Sequence, residues 1–266
     1  MDAEIFPFES PWGHGRPLAG RAALVTGAGR GIGRGVAEEL AAAGAQVIAA
    51  DLDLASAEQT IAGLPDAGLP GGGRAARVDV SDPDSVERLI SSVAASAGPI
   101  DILVNVAGVL SISPVVDLPV EDWDRIMGVN ARGTFLVTKA VLPRMIAAGS
   151  GAIINISSAA GKDGVATAAH YSASKFAVIG FTQSLAKEVA EHGIRVNAVC
   201  PGVVRTPMIA DVAAAWAIPA EQMVNDWQLI KRAQDAREIG AAVVFLVVMT
   251  SMTGQSINVD GGSVFH

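Results

Sequence analysis

Short apolar runs alternate with helical segments along nearly the whole chain of 266 residues. The runs predicted to be strands are 22–26, 46–51, 77–80, 100–105, 152–157, 195–200 and 256–259. The segments predicted to be helices are 32–44, 82–97, most of 121–148, the segment around 170–181, and 238–248. Such an alternation pairs parallel strands through right-handed crossovers, which place helices on both faces of one sheet. The pattern therefore predicts an α/β fold with a doubly wound parallel sheet of about seven strands.

No change in composition divides the chain into two domains. Half of the residues are hydrophobic (50%) and only 17% are charged, which suits a sheet that is covered on both faces. We expect one domain over 20–266, preceded by an irregular N-terminal extension over 1–19. The glycine- and proline-rich segment 63–73 is predicted to be a loop.

Charge and cysteine content limit the possible partners. A formal charge of −8 argues against nucleic acid or an anionic membrane as the main partner, because both attract basic surfaces. Residues 1–20 lack the basic and apolar regions of a signal peptide, and the apolar run 241–249 is too short to span a bilayer. Cys200 is the only cysteine, so no intrachain disulfide can form, and we expect a cytoplasmic protein without a metal site.

A glycine-rich stretch, TGAGRGIG over 26–33, joins the first predicted strand to the first helix. Glycines at such a turn let the backbone approach a pyrophosphate, which the free N–H groups of the helix attract. The spacing of Gly27, Gly31 and Gly33 does not fit G-x-G-x-x-G, and a glycine turn can also be only a tight connection. The strand before it and the helix after it favour a dinucleotide site.

Asp51 ends the second predicted strand, where a carboxylate can accept hydrogen bonds from the hydroxyls of the adenosine ribose. The same charge would repel a 2′-phosphate, which favours NAD over NADP. Arg30 supports the opposite preference, since a guanidinium in the glycine turn can pair with that phosphate, but it can also be a solvated loop residue. We expect NAD.

Tyr171, the only tyrosine, precedes Lys175 by one helical turn, so the two side chains lie on the same helix face. A free phenol has a pKa of about 10, and a nearby ammonium would lower that pKa and make the phenol a usable acid and base. Oxidation of an alcohol or reduction of a carbonyl needs such a proton carrier. The alternative is a tyrosine packed at a helix start, with His170 beside it and a solvated lysine.

Two further polar positions favour the chemical interpretation. Ser157 and Ser158 end a predicted strand, and ligands bind at strand ends in open α/β sheets. Asn130 falls within a predicted helix, where asparagine is a poor helix former, so it invites a polar role such as holding a relay water. A core amide satisfied by backbone is the alternative for Asn130.

The chain resembles the short-chain dehydrogenase/reductase family over 20–262. The motifs that carry the resemblance are TGAGRGIG (26–33), DV (79–80), NVAG (105–108), Asn130, NISS (155–158), YSASK (171–175) and PGVVRTPM (201–208). The resemblance implies a Rossmann fold and an NAD(P)-dependent oxidoreductase acting on CH–OH groups. Two departures are Val106, where a second asparagine is usual, and a shorter, less acidic segment over 245–262.

The resemblance also implies a role for each matching residue. Tyr171 would be the general acid and base, Lys175 would lower its pKa and bind the nicotinamide ribose, and Asn130 would support proton relay. Ser158, at the family's usual interval before the tyrosine, would be the catalytic serine. The residues expected to contact the cofactor are Gly27, Arg30, Gly31, Ile32, Gly33, Asp51, Asp79, Val80, Asn105, Ala107, Gly108, Tyr171, Lys175, Pro201, Gly202, Val204 and Thr206. Members are commonly homotetramers joined through the long helices, although a dimer is also possible.

Segment 207–232 is predicted to form a lid with an apolar lining over a small-molecule substrate, and 109–114 and 162–168 would supply the other walls. A packed helical hairpin is the alternative for this segment. The leading hypothesis is an NAD-dependent enzyme that interconverts a secondary alcohol and a ketone. One alternative is an NADPH-dependent 3-oxoacyl thioester reductase acting on an acyl carrier protein. A non-catalytic dinucleotide-binding regulator is the alternative from another class.

Overall fold

Seven parallel strands form one sheet in the computed structural model, which describes residues 10, 15–64, 73–97 and 99–266. The sheet order is β3-β2-β1-β4-β5-β6-β7, and every neighbouring pair is parallel. The strands are β1 Ala22–Thr26, β2 Gln46–Asp51, β3 Arg74–Arg77, β4 Ile102–Asn105, β5 Gly151–Ile156, β6 Ile194–Pro201 and β7 Ser256–Val259. The predicted doubly wound α/β fold is confirmed.

Helices cover both faces of this sheet. They are α1 Gly31–Ala42, α2 Leu54–Gly63, α3 Pro83–Ala97, α4 Val120–Met127, α5 Gly133–Ala148, α6 Ala169–Val189, α7 Pro207–Trp216, α8 Ala220–Trp227 and α9 Ala236–Val248. Residues of α1 and α9 share one buried core with one face of the sheet, and residues of α3, α5 and α6 share a second core with the other face. None of the described helices is long and apolar enough to cross a membrane.

Strands β1, β4 and β5 are buried along their whole length, because helices cover both faces of the middle of the sheet. In β1, Ala23 and Val25 belong to the core beneath α1 and α9, whereas Ala22 and Leu24 belong to the core beneath α3 and α5. Successive side chains of a strand point to opposite faces, so two buried faces need apolar residues at every position.

The third strand lies three residues earlier than the predicted 77–80. The β2–β3 ladder ends at the pair Asp51 and Arg77, and Val78 then donates its N–H to the Asp51 carbonyl oxygen. The Asp79 N–H turns to the Ser85 hydroxyl at 3.0 Å, which takes the chain out of the sheet. Val78 and Val80, which suggest a strand in the sequence, are buried although they lie beyond the end of β3.

Other boundaries differ by a few residues, and one helix was not predicted. Helix α2 follows β2 and is capped by Asp53, whose carboxylate accepts from the N–H groups of Ala55 and Ser56. Most of the predicted loop 63–73 and of the predicted N-terminal extension lies outside the described residues. Within the described part of that extension, Leu18 is 1% exposed and donates its N–H to the Ala43 carbonyl oxygen at 2.9 Å.

Candidate active site

The sheet order reverses between β1 and β4, so the connections after these two strands diverge and leave a crevice at their carboxyl ends. A cleft of about 820 Å³ occupies this position. Its lining includes Gly27, Arg30, Gly31, Ile32, Gly33, Asp51, Asp79, Val80, Ala107, Gly108, Tyr171, Lys175 and Thr206. The fold therefore brings most of the residues predicted for a cofactor to one cleft, which we call the dinucleotide cleft.

Two glycines of the turn lie so close to neighbouring backbone that no side chain would fit at their positions. Gly27 has φ +65°, and a Cβ there would lie 2.8 Å from the Ala107 Cα. A Cβ on Gly33 would lie 1.9 Å from the Gly27 carbonyl oxygen. No side-chain hydrogen bond caps α1 in the described structure, so its first N–H groups face the cleft without a protein acceptor. This cradle fits a pyrophosphate.

Acidic groups line the cleft beside the end of β2. The Asp51 carboxylate accepts from the Gly29 N–H at 2.8 Å and from the Asp53 N–H at 3.0 Å, which fixes its position. Hydrogen bonds from Ser56 lower the pKa of Asp53, and the charge of exposed Arg30 lowers it further. The cleft is thus lined by Asp51 at the end of β2 and by Arg30 in the glycine turn.

Asp79 and Val80 lie where the chain leaves the sheet, and both line the cleft. The Asp79 carboxylate accepts from the Ser81 N–H at 2.9 Å and from the Ser81 hydroxyl at 2.6 Å, which closes a tight turn. Val80 packs against Gly133, whose missing Cβ would come within 2.8 Å of the valine side chain.

Asn105 is not among the residues that line the cleft, and its side chain is buried. Its Nδ2 donates to the Thr138 hydroxyl at 3.0 Å and to the Asn155 Oδ1 at 2.9 Å, and Asn155 in turn donates to Thr182. This buried polar ladder ties β4 and β5 to α5 and α6. Asn105 points away from the cleft because successive strand residues alternate between faces.

Asn130 lies in a π-helical turn, Gly128–Arg132, that interrupts the predicted long helix between α4 and α5. The Asn130 amide is 1% exposed. Its Oδ1 accepts from the Val109 N–H at 2.8 Å, and its Nδ2 donates to the Val109 carbonyl oxygen and to the Ser174 hydroxyl. The amide therefore clamps the chain after β4 against α6, and it lines neither cavity.

Tyr171 and Lys175 lie near the start of α6, and the lysine Nζ is 5.7 Å from the centroid of the tyrosine ring. Burial raises the pKa of Tyr171, and a hydrogen-bond interaction with Ser158 opposes that rise. Burial lowers the pKa of Lys175 to about 8, and its Nζ donates to the Ile156 carbonyl oxygen at 2.9 Å. Burial thus outweighs the hydrogen bond, and the pKa of Tyr171 lies above its ordinary value.

The two serines after β5 have different partners. The Ser157 hydroxyl donates to the Lys175 carbonyl oxygen at 2.9 Å and so ties β5 to α6. The Ser158 hydroxyl oxygen accepts from the Ala160 N–H at 3.1 Å, and the same hydroxyl interacts with the Tyr171 phenol. Ser158 and Tyr171 both line a second cavity.

This second cavity, the apolar chamber, has a volume of about 740 Å³. Its walls include Leu110, Ile112, Val165, Pro201, Gly202, Val204, Met208, Ile209, Val212, Trp216, Ile218, Met223 and Trp227. The two tryptophan rings meet edge to face at 5.3 Å, and the Trp216 Nε1–H donates to the Thr167 hydroxyl at 3.0 Å. The segments predicted as a lid and as walls therefore surround one chamber, and Tyr171 lines both cavities.

Sequence reasoning missed two features of the site. Thr167 has φ +61°, which is rare for a β-branched residue and marks local strain beside the chamber. His170, interpreted as a helix-start residue, is fully buried and contacts Ser111 at 2.8 Å. Neither feature has a local sequence signal, because each depends on partners about fifty or more positions away.

A family model described as short chain dehydrogenase matches residues 21–216. The (3R)-3-hydroxyacyl-CoA dehydrogenase of Mus musculus is 40% identical over 249 residues, which cover 90% of this chain and 95% of that protein. The D-threitol dehydrogenase of Mycolicibacterium smegmatis is 40% identical over 247 residues, covering 92% of this chain and 93% of that protein.

Two solved structures share the fold over almost their whole length. One, described as ribose-5-phosphate isomerase from Brucella melitensis, has a TM-score of 0.86 and 35% identity, and the match covers 92% of this chain and 93% of that chain. The other, a short-chain type dehydrogenase/reductase from Mycobacterium marinum, has a TM-score of 0.85 and 33% identity, with 93% and 96% covered.

Proposed function

The chain belongs to the short-chain dehydrogenase/reductase family of oxidoreductases that act on CH–OH groups, and on this premise we propose that it interconverts an apolar secondary alcohol and a ketone with NAD. The observation that carries the proposal is the position of Tyr171 in the wall shared by the dinucleotide cleft and the apolar chamber. A phenol at that junction can reach a substrate in the chamber while a nicotinamide occupies the cleft.

The residues of the cleft fit a nicotinamide dinucleotide. The glycine cradle and the uncapped start of α1 would hold the pyrophosphate, and Asp51 would accept hydrogen bonds from the adenosine ribose. Thr206 lies next to Gly31 in the lining of the cleft, where it would contact the nicotinamide end of the dinucleotide. When bound, the nicotinamide supplies or accepts the hydride.

The proton of the reaction moves through Tyr171. During ketone reduction the Tyr171 phenol donates to the carbonyl oxygen, while the Ser158 hydroxyl turns to hydrogen-bond the same oxygen as negative charge develops on it. During alcohol oxidation the phenolate takes the hydroxyl proton. The ammonium of Lys175 stabilises the phenolate and holds the nicotinamide ribose.

A proton relay from Lys175 towards solvent would pass close to Gly108. A Cβ on Gly108 would lie 3.3 Å from the Asn130 Oδ1 and 3.5 Å from the Lys175 Nζ. Because residue 108 has no side chain, the amide and the ammonium can both approach this point of the backbone, and a water bound beside them would pass protons from Lys175 towards solvent. Asn130 supports the relay by holding the chain after β4 in place.

Replacing Tyr171 tests the mechanism directly. Tyr171→Phe removes the proton carrier and leaves the ring, so we expect kcat to fall by about 10³-fold or more while the affinity for NADH stays within about twofold. Turnover is measured with an NADH-coupled assay over apolar and cyclic ketones, and NADH affinity by fluorescence titration. A Tyr171→Phe enzyme with full activity would refute the assignment.

Cofactor preference depends on the anchored charge of Asp51. Its carboxylate would repel a 2′-phosphate, so NADH should bind at least about tenfold more tightly than NADPH. Asp51→Ala should narrow that ratio, and adding Arg30→Ala should weaken NADPH binding again, because the guanidinium would be the remaining partner of the phosphate. Tighter binding of NADPH by the unaltered protein would reverse the proposal.

A 3-oxoacyl or 3-hydroxyacyl thioester is the second candidate substrate. The 40% identity to a (3R)-3-hydroxyacyl-CoA dehydrogenase favours it, and an apolar chamber can accept an acyl chain. Asp163 and Asp226 also line the chamber, and such charges disfavour the approach of a phosphate-bearing carrier. Comparison of kcat/KM for acetoacetyl-CoA and for cyclohexanone, with NADH and with NADPH, separates the two candidates.

We also propose that the chain assembles as a homotetramer and that 207–232 opens to admit substrate. The edge-to-face tryptophans and the bond from Trp216 to Thr167 close this segment over the chamber. Large apolar side chains are exposed on α5 and α6, including Phe135 and Phe176, which are 43% and 47% exposed. Such patches mark contact surfaces.

A further inference from the structure

His170 is buried beside the reactive tyrosine and has one polar partner. Its ring is 0% exposed, and its Nε2 lies 2.8 Å from the Ser111 hydroxyl oxygen. Its Nδ1 is also buried and has no hydrogen-bond partner among the described residues. The ring therefore makes a single hydrogen bond across the connection between β4 and α4.

The position of the ring proton follows from this environment. Burial lowers the pKa of His170, the charge of Asp122 opposes that effect, and the charge of Arg125 adds to it, so the ring is neutral at pH 7. A proton on Nδ1 would be a buried donor without an acceptor, which is rarer in proteins than an unused lone pair. We therefore assign the proton to Nε2, which donates to Ser111.

This assignment leaves the Ser111 hydroxyl proton unused. The Ser111 oxygen accepts from His170, and within the described residues its own proton has no acceptor. Ser111 is half-buried and lines the dinucleotide cleft between Leu110 and Ile112, which line both cavities. Its proton can therefore donate to a ligand near the junction where Tyr171 lies.

We propose that Ser111 determines substrate specificity by donating a hydrogen bond to a second oxygen of the substrate, and that His170 is the residue that positions it. The proposal rests on the proposed function. The reacting oxygen faces Ser158 and Tyr171, and Ser111 approaches the same junction from the dinucleotide cleft, between Leu110 and Ile112, which line both cavities. The preferred substrates are therefore ketones that carry a further carbonyl or ester oxygen near the reacting carbon.

Matched ketones test this preference. We would measure kcat/KM with NADH for 2-octanone and 2,3-octanedione, and for 4-nonanone and ethyl 3-oxohexanoate, which share a chain and differ in the added oxygens. Ser111→Ala should lower kcat/KM for the oxygenated member of at least one pair about tenfold more than for its partner. The ratio of variant to unaltered enzyme removes differences in intrinsic reactivity between the ketones.

Controls separate positioning from general damage to the fold. Ser113→Ala, in the same connection, should change both members of each pair by the same factor, since its hydroxyl donates to the Pro114 carbonyl oxygen instead. His170→Leu should reduce the selectivity as Ser111→Ala does, and His170→Gln should restore it, because the glutamine Nε2 can donate from the place of the histidine Nε2.

Equal losses for both members of both pairs in Ser111→Ala would overturn the role of Ser111. Retained selectivity in His170→Leu would overturn the positioning role of His170 alone. If the unaltered enzyme reduced none of the four ketones with NADH, the proposed function would fail, and the Ser111 proposal with it. That result is distinct, because it appears before any variant is made.

Discussion

Lys175 places an ammonium group in a site that is 4% exposed, where the Ile156 carbonyl oxygen accepts its hydrogen bond. Burial disfavours the charged form and lowers the pKa of Lys175 from 10.5 to about 8. Each unit of such a shift corresponds to about 1.4 kcal/mol. The buried charge of Lys175 therefore lowers the stability of the folded protein by on the order of 3 kcal/mol at neutral pH.

This loss has a defined pH dependence. The folded pKa lies below the unfolded value, so between pH 8 and 10.5 the unfolded chain binds more protons and stability rises with pH. Below pH 8 the penalty is fully present. The penalty disappears above the unfolded value, where lysine is neutral in both states.

Lys175→Met should therefore stabilise the cofactor-free protein while abolishing turnover. At pH 7 we expect the Tm to rise by about 4–8 °C, since methionine fills the same space without a charge but leaves the Ile156 carbonyl oxygen without its donor. The gain should shrink as the pH rises from 8 to 10. Thermal unfolding at fixed protein concentration measures both trends, and Lys187→Met, at an exposed position on the same helix, should change the Tm little. A fall in Tm at pH 7 would contradict the argument.

Local motifs predict where Tyr171 and Ser158 lie in the fold better than they predict the contacts around them. Tyr171 and Ser158 follow from a helix start and a strand end, and each is fixed by a few adjacent residues. Asn105 was assigned to the cleft because its motif does not reveal which face of β4 it occupies. The contact between Ser111 and His170 spans 59 positions, and no spacing rule predicts such a pair.

At the scale of elements, α1 and α9 pack so closely that backbone meets backbone. A Cβ on Gly35 would lie 2.5 Å from the Ala236 carbonyl carbon, and a Cβ on Gly240 would lie 2.6 Å from the Gly35 carbonyl oxygen. Next to this contact, Arg237 pairs with the fully buried Glu39 at 2.6 Å. The pair of helices covers one face of the sheet beneath the glycine turn, so their spacing sets the position of the cradle.

Gly240→Ala should push these helices apart. Although alanine is the better helix former, the new methyl group meets rigid backbone, so we expect a loss of about 1–3 kcal/mol in the free energy of unfolding and weaker NADH binding. Gly63→Ala is the matched control, because a Cβ there meets nothing within 4 Å and should be neutral or slightly stabilising. Urea unfolding and fluorescence titration measure the two effects. Gly240→Ala as stable as the unaltered protein would show that the helices can separate freely.

Element types were easier to predict than element ends. Strands β1, β2 and β7 have the predicted bounds because their apolar runs stop where the chain leaves the sheet. After β3 the apolar residues continue past the last strand pair into the core. The apolar run 77–80 therefore indicates buried residues and not a strand. The π-helical turn at Gly128–Arg132 was hidden for a similar reason, since it keeps the helical pattern of side chains while shifting one turn of hydrogen bonds.

At the scale of the whole molecule, a homotetramer built from two-fold axes needs two separate self-complementary surfaces on each chain. The exposed Phe135 and Phe176 on α5 and α6 supply one candidate surface. A second candidate lies at the other end of the chain, where Phe245 and Phe265 are 40% and 80% exposed near β7, an edge strand of the sheet. Edge strands and exposed apolar patches are usually covered in the assembled protein.

Each surface can be broken separately. A buried carboxylate next to its symmetry copy is strongly unfavourable. We therefore expect Phe176→Glu to give dimers joined through the Phe245 surface, and Phe245→Glu to give dimers joined through the Phe176 surface. The double variant should be a monomer. Size-exclusion chromatography with light scattering measures the masses, and NADH titration of each variant checks that the cleft is intact. A monomeric unaltered protein would contradict the tetramer, and a single variant that yields monomers directly would show that the two surfaces are not independent.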